Sequence, residues 1–169
     1  MASFSIKYPY SCTSSAPEEL KALFGHDHTF IEFKDNYRRI DNFTKTNIAA
    51  FDNDDHSDNP NDWVGIPDIP KLFPGVPCII STSRHHMKQK GDKGPRPRYH
   101  VMLLTDTITS PEEYTALLTK VQKHFPFFDK KALDSARFYF GNPDMESHQQ
   151  HNRCFAHSGY RIRRRLFCR

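Results

Sequence analysis

The residues of this sequence most suited to chemistry are aspartates that follow an apolar segment, in Phe51-Asp52-Asn53-Asp54-Asp55. If residues 47–51 form a buried strand, the period of two sends Asp52 and Asp54 to one face. Hard divalent cations prefer carboxylate oxygens, and paired cations can stabilise both the attacking and the leaving oxygen of a phosphoryl transfer. The segment predicts a Mg²⁺ or Mn²⁺ site, although Asp-rich segments near Asn, Ser and Pro are also typical of solvated turns.

Three further segments contain groups that can act on a phosphorylated substrate. Arg98-Tyr99-His100 follows a basic loop, and its imidazole can hydrogen-bond a triphosphate, although a single strand histidine is also often structural. Phe127-Phe128-Asp129 places a carboxylate after aromatic residues, where it can complete a metal shell or cap a turn. In Asp134-Ser135-Ala136-Arg137, the arginine can pair with Asp134 or bind a phosphate with two hydrogen bonds.

Length and composition predict one compact domain with a proper core, since the 169 residues are 13% aromatic and include 14 Phe. The net charge of +4 is unevenly placed, with acidic residues clustered in 52–62 and basic residues in 84–98 and 161–169. Basic loops beside carboxylates suit a polyanion held over metal ions, although charge runs are more often solvated surface. The glycines and prolines of loop 84–98 predict that it is mobile without a ligand.

Several classes of protein are disfavoured by composition. No apolar run approaches membrane-spanning length, and residues 1–10 lack the features of a secretory signal, so we expect a cytoplasmic protein without a membrane partner. The four cysteines are dispersed singly, which suggests neither a disulfide framework nor a cysteine-only zinc site.

The patterning predicts an α+β domain, in which a mostly antiparallel sheet is backed by helices. Strands are predicted at residues 3–10, 30–33, 47–51, 78–83, 99–104 and 137–140. A first helix is predicted to start near 15–18 and end at Gly25, and a short helical turn is expected at 69–73. The clearest local signal is Ser110-Pro111-Glu112-Glu113, which predicts an N-capped helix that continues to about His124.

In their order along the chain, these motifs resemble those of the archaeo-eukaryotic primase superfamily, also called primase-polymerases. In that family a strand ends in Asp-x-Asp/Glu, a second motif ends in a small or basic residue, any residue and His, and a third is an apolar residue followed by Asp. The matching segments here are Asp52-Asn53-Asp54, Arg98-Tyr99-His100 and Phe128-Asp129. Residues 51–63, 83–100 and 125–141 also resemble the primase-like proteins of bacterial phages and mobile elements. The resemblance covers residues 27–141, most of the chain.

The resemblance implies a primase catalytic core with an RRM-like sheet over residues 1–146, followed at 147–169 by a basic, His-rich tail or the start of a missing segment. It implies a catalytic metal triad of Asp52, Asp54 and Asp129 that binds Mg²⁺ or Mn²⁺. The implied nucleotide-binding residues are His100, Arg98, Arg137, Arg84, Lys88 and Lys90. Two choices stay open, Asp54 or Asp55 as the second ligand and Asp129 or Asp134 as the third, with Asp54 and Asp129 preferred.

The implied activity is template-dependent nucleotidyl transfer, by a primase or DNA polymerase that replicates a phage or mobile element. The implied partners are a single-stranded DNA template, nucleoside triphosphates and a replicative helicase. The sequence does not distinguish an RNA from a DNA product, or initiation from extension. In the tail, His148, His151, Cys154 and His157 recur every third residue, but structural zinc sites usually pair ligands across two elements.

Two other functions are compatible with the sequence. A rolling-circle or relaxase-type nuclease uses a His-x-His metal site, and His26-Asp27-His28 has that spacing without the apolar flanks such a site needs. In a non-catalytic nucleic-acid-binding domain, the acidic residues would be ordinary surface residues that bind no metal. Metal binding separates these hypotheses, because a primase requires a divalent cation at Asp52 and Asp54.

Overall fold

The computed structural model describes residues 6–13, 17–54, 57–150 and 165–168. The strands are β1 Tyr10–Thr13, β2 His28–Thr29, β3 Glu32–Phe33, β4 Phe43–Asp54, β5 Cys78–Thr82, β6 Arg98–Ile108, β7 Ser147–Gln150 and β8 Arg165–Cys168. The helices are α1 Pro17–Phe24, α2 Ile69–Leu72 and α3 Pro111–His124. Short 3-10 turns lie at Lys34–Asn36, Ile40–Asn42, Pro60–Asp62, Ile66–Asp68 and Lys130–Ala132.

The described strands form two sheets, of order β3-β4-β6-β5-β7 and β1-β8-β2. Each neighbouring pair is antiparallel. The predicted α+β class with an antiparallel sheet is therefore confirmed. The two longest strands, β4 with 12 residues and β6 with 11, pair over most of their length inside the larger sheet. These central strands carry Asp52, Asp54 and His100.

The larger sheet is apolar on both faces over most of its length. On one face, Phe51, Val101 and Ile80 pack with Tyr114 and Leu118 of α3 in a single buried cluster. On the other face, a second cluster consists of Phe24, Phe30, Ile48, Ala50, Ile79, Met102, Tyr139 and Met145. Because side chains alternate along a strand, the residues that follow Ala50 on this second face are Asp52 and Asp54. The apolar layer thus gives way to a polar cleft at the end of β4.

Helix α3 has the limits that its sequence signals predict. The Ser110 hydroxyl accepts a hydrogen bond from the backbone N–H of Glu113 at 3.1 Å, and Pro111 occupies the first helical position. Both features satisfy or remove N–H groups that the first turn would otherwise leave unpaired. Among the described residues, no helix is both long enough and apolar enough to cross a lipid bilayer.

Two predicted strands near the N-terminus differ from the structure. The first was expected at residues 3–10, but in the described part it begins at Tyr10, and Lys7 makes only an isolated bridge to Tyr37. The second was expected to run through 30–33. The chain instead pairs with β8 before Phe30 and with β4 after Ile31. The side chains of Phe30 and Ile31 pack into the two different apolar clusters, on opposite faces of the larger sheet. The chain therefore passes from the smaller sheet to the larger one between these residues.

The prediction of a strand at 137–140 is wrong. Within this segment only Tyr139 forms a β-bridge, and its partner is His28. Side chains replace the strand partners on either side of this bridge. The Thr29 hydroxyl donates to the carbonyl oxygen of Arg137 at 2.8 Å, and the N–H of Gly141 donates to the Asp27 carboxylate at 2.9 Å. A Cβ atom at Gly141 would collide with the backbone of Gly25 and His26, so the close approach of these segments requires glycine.

The described parts of segment 147–169, predicted as a basic, His-rich tail or the start of a missing segment, pair with strands of both sheets. Ser147–Gln150 pairs with β5, and Arg165–Cys168 pairs with β1 and β2. Backbone hydrogen bonds therefore connect these parts to the rest of the protein. His151, Cys154 and His157, three of the four residues considered for zinc, lie outside the described residues.

Candidate active site

The carboxylates of β4 lie directly opposite the basic residues of β6. In the antiparallel register, Asp52 pairs with His100 and Asp54 pairs with Arg98. The intervening Asn53 is fully buried on the other face, where its side-chain amide lies 3.5 Å from the carbonyl oxygen of Val64. Cross-strand neighbours on one face lie close enough for their side chains to interact. The sheet itself therefore brings together two motifs that lie far apart in the sequence, around residues 52 and 100.

These residues line a cleft of about 380 Å³ at the end of β4 and the start of β6. Its walls are formed by Asp52, Asp54, Ser83, Arg84, His85, Lys90, Arg98, His100, Arg137, Phe138, Tyr139 and Phe140. Seven of the nine predicted site residues line this cleft, and the two that do not are Asp129 and Lys88. A larger, shallower groove of about 880 Å³ follows α3, but Glu112 is its only carboxylate among the described lining residues. We place the candidate site in the smaller cleft because it contains paired carboxylates.

Asp52 lies between two basic side chains. Its Oδ2 atom is 3.3 Å from Nη2 of Arg137, and its Oδ1 atom is 3.6 Å from Nε2 of His100. Burial lowers the pKa of His100, and Arg137 lowers it further, whereas Asp52 acts in the opposite direction. His100 is therefore neutral at pH 7, and its ring can donate one hydrogen bond and accept another.

Asp54 is paired with two cations, Arg98 and Lys90. Nε of Arg98 donates to Oδ1 at 2.7 Å, and Nζ of Lys90 donates to Oδ2. Partial burial raises the pKa of Asp54, but the hydrogen bonds from Lys90 and Arg98 together outweigh that effect and bring the pKa below its ordinary value. Asp54 is therefore a carboxylate at neutral pH.

Arg98 acts within the protein as an anchor for Asp54. Its side chain is 3% exposed, and Nη1 donates to the carbonyl oxygens of His85 at 3.1 Å and Lys88 at 2.8 Å. Because Nε and Nη1 already have protein acceptors, these contacts support a positioning role, whereas the family resemblance implied nucleotide binding. Arg98 connects the carboxylate of Asp54 to the backbone of the basic loop.

The basic loop, residues 84–98, makes contacts within itself and with the segment that follows β4. The N–H of Met87 donates to the carbonyl oxygen of Arg96, and residues 90 and 93 form a bridge. The Arg96 guanidinium is buried and donates to the carbonyl oxygen of Ser57 and the carboxylate of Asp58, both at 3.0 Å. The acidic segment after β4 therefore fixes the loop beside the cleft.

The other predicted phosphate-binding residues differ in their placement. Nε of Arg84 donates to the carbonyl oxygen of Gly141 at 2.6 Å, and its guanidinium lies over the ring of Phe140. Arg137 keeps a third of its side chain exposed beside Asp52. Lys88 is exposed and does not line the cleft. Arg84 and Arg137 are thus the predicted arginines best placed to meet a ligand.

The backbone of Asp129 contacts that of Asp52, but the Asp129 side chain points elsewhere and caps a turn. The N–H of Asp129 donates to the carbonyl oxygen of Asp52 at 2.8 Å, whereas its carboxylate accepts from the N–H of Lys131 at 2.9 Å. The carboxylate of Asp134 accepts from the N–H of Ala136. Neither residue lines the cleft, and Asp55 lies outside the described residues.

The donor set of the cleft fits a divalent cation. Within the described part of the chain, no group of three or more His, Cys, Asp or Glu side chains is placed to hold a metal ion. Mg²⁺, however, is usually bound by one or two carboxylates, substrate phosphates and water rather than by a complete protein cage. Asp52 and Asp54 can supply those carboxylates, and the adjacent arginines suit the phosphates.

Several residues on the cleft walls were not predicted from the sequence, among them Ser83, His85, Phe138 and Tyr139. Tyr139 packs edge-on against the ring of His100, with centroids 4.8 Å apart. The only sequence signal for Phe138 and Tyr139 is their position directly after Arg137. Their contribution to the cleft depends on the path that segment 137–140 takes across the face of the sheet, which is a tertiary feature.

His28, half of the alternative His-x-His motif, belongs to the core. Its side chain is 2% exposed and packs against the rings of Phe24, Phe30 and Tyr139. Its Nδ1 atom lies 2.8 Å from the carbonyl oxygen of His26, which is itself exposed. This arrangement gives no support to a metal held by the two histidines.

The burial of His28 predicts a loss of stability in acid. Burial lowers its pKa from 6.5 to about 4, so between these values the unfolded chain binds a proton that the folded protein does not. The free energy of unfolding should therefore fall by about 3 kcal/mol as the pH drops from 7 to 4. Urea unfolding at several pH values measures this effect. His28→Phe should show a smaller loss than wild type, and His26→Gln should match wild type; equal losses in all three proteins would contradict the assignment.

No protein-family model, characterised protein or solved structure matches this chain. Fold and site therefore define the class of the protein by themselves. It is an α+β protein with an antiparallel sheet, in which paired carboxylates and basic side chains share one cleft.

Proposed function

We propose that this protein is a template-dependent nucleotidyltransferase, a primase or DNA polymerase that uses divalent cations bound by carboxylates. The observation that carries the proposal is the register of β4 and β6, which sets Asp52 opposite His100 and Asp54 opposite Arg98. Two of the three motifs that resemble those of primase-polymerases, the one at 52–54 and the one at 98–100, thus contribute side chains to one cleft. A primase catalytic core on this sheet, and replication of a phage or mobile element, are parts of the same proposal.

The charges of the cleft suit a nucleoside triphosphate. Two carboxylates face four cationic side chains, those of Arg84, Lys90, Arg98 and Arg137, in addition to the neutral His100. A cleft with an excess of positive charge attracts polyanions, and planar guanidinium groups bind phosphate oxygens with two hydrogen bonds. A single-stranded template would continue along the basic loop that borders the cleft.

Each side chain has a defined part in the proposed reaction. Asp52 and Asp54 would hold the cations, and Arg98 would keep Asp54 in place. Bound there, such cations would supply the charge that favours loss of the proton from the attacking hydroxyl and stabilises the transferred phosphate and the leaving pyrophosphate. The neutral ring of His100 would donate a hydrogen bond to the triphosphate, while Arg84 and Arg137 would bind its outer oxygens.

The proposal predicts that the purified chain incorporates labelled nucleotides in the presence of Mn²⁺ or Mg²⁺ and a single-stranded DNA template. Gel analysis of the products should show incorporation that depends on both the template and the cation. A primed and an unprimed template distinguish extension from initiation, and ribonucleotides compared with deoxyribonucleotides reveal the product. Incorporation that persists with a chelator, or none under any of these conditions, would contradict the proposal.

A further inference from the structure

We propose that Lys90 occupies the position at Asp54 that a divalent cation takes, and that it must leave Asp54 before the cation binds. This inference rests on the proposed function, since it requires a cation at Asp52 and Asp54. The ammonium group of Lys90 donates to Oδ2 of Asp54, the oxygen that Arg98 leaves unused. The lysine ammonium group is a compact point charge on a flexible stem, so it and a metal ion can compete for one carboxylate oxygen.

The two cations at Asp54 are held very differently. Arg98 is 3% exposed and has two backbone carbonyl acceptors in addition to Asp54. The Lys90 side chain is 47% exposed, and among the described residues Asp54 is the only acceptor its Nζ atom has. Removing Arg98 from Asp54 would leave a buried charge without its partner, whereas Lys90 can turn into water. Lys90 is therefore the cation that leaves.

The surrounding hairpin allows this movement without a change in the backbone. The residue after Lys90 is Gly91, at φ +59°, and nothing lies within 4 Å of a Cβ atom built there. The base of the hairpin stays fixed, because Lys93 and Arg96 both bind the Asp58 carboxylate. Because the Lys90 side chain is 47% exposed, it can rotate into water while these contacts at the base of the hairpin stay in place.

The displaced ammonium group has a natural new partner in the ligand. The cleft has more cationic side chains than carboxylates, so a divalent cation by itself increases the excess of positive charge. A triphosphate carries enough negative charge to compensate the cation and to accept a hydrogen bond from Lys90. Cation binding and triphosphate binding should therefore assist each other, with Lys90 passing from Asp54 to a phosphate oxygen.

The test is the binding of Mn²⁺ to the full chain without nucleotide, measured by the electron paramagnetic resonance signal of free Mn²⁺. Lys90→Met removes the competitor and keeps the length of the side chain. We expect it to bind Mn²⁺ about fivefold more tightly than wild type, the effect of one partly exposed ion pair. Lys88→Met removes a charge from the same loop but not from the cleft, and it should bind Mn²⁺ like wild type.

The possible outcomes separate this inference from the proposed function. Equal Mn²⁺ affinity in wild type and Lys90→Met would overturn the role of Lys90 and leave the cation site intact. An equal gain in Lys88→Met would also overturn it, since net charge alone would then explain the effect. Binding that is absent from every variant, or unchanged in Asp52→Asn with Asp54→Asn, would instead contradict the proposed function.

Discussion

Replacing Asp52 and Asp54 together by asparagine is expected to lower cation-dependent nucleotide incorporation by about 1,000-fold or more. Asparagine keeps the shape of each side chain, and its oxygen can still accept hydrogen bonds from Arg98 and Arg137. It removes the two negative charges that are proposed to hold the cations, and such electrostatic stabilisation is usually the largest contribution to this type of reaction. The initial rate of incorporation on a primed single-stranded template measures the loss.

Asp106→Asn is the matched control for this pair, because it neutralises an exposed carboxylate of β6 that does not line the cleft. This variant should retain the wild-type rate. Circular dichroism and thermal unfolding of the double variant establish that it remains folded. A folded double variant that keeps its rate within tenfold of wild type would refute the assignment of these carboxylates.

The second large effect is on stability, at Phe51, the residue that leads into the two carboxylates. Its side chain is fully buried and stacks on Phe128 with ring centroids 4.5 Å apart. Phe51→Ala should lower the free energy of unfolding by about 3–5 kcal/mol, since it removes a large apolar group and leaves a cavity. Urea unfolding at neutral pH measures this change.

Two other variants control for the effect at Phe51. Phe51→Leu keeps most of the buried volume, so its loss should be clearly smaller than that of Phe51→Ala. Ile40→Ala shortens an apolar side chain that is 50% exposed, and it should change stability by less than about 1 kcal/mol. Equal losses at Phe51 and Ile40 would contradict the packing described for β4.

Elements defined by neighbouring residues were predicted well from the sequence. Helix α3 begins and ends where expected, because its cap, its first proline and its apolar face are all local. Strand β4 was predicted from its apolar run, although it extends further in both directions. The segment 137–140 has strand-like residues, yet its flanks bind the side chains of Thr29 and Asp27 in place of another strand. Local patterns do not reveal such distant partners.

The same distinction applies to the candidate site. Alternation along one strand predicts that Asp52 and Asp54 share a face, since the period of two is a property of any strand. Which residues lie opposite them depends on register, and a slip of one residue would turn every side chain of β6 to the other face. Asp129 illustrates the limit, because the motif pattern suggested a metal ligand while its carboxylate caps the next turn.

The chain's local chemistry accounts for the α+β class, the helix limits, the pairing of aspartates on one face and the supply of basic residues nearby. Only the tertiary structure decides that Asp52 meets His100 and Arg137, and that Asp54 meets Arg98 and Lys90. Those contacts join residues from distant parts of the chain, and they depend on strand register and on the path of the basic loop. Both are set by packing energy summed over the whole fold, which no short stretch of sequence contains.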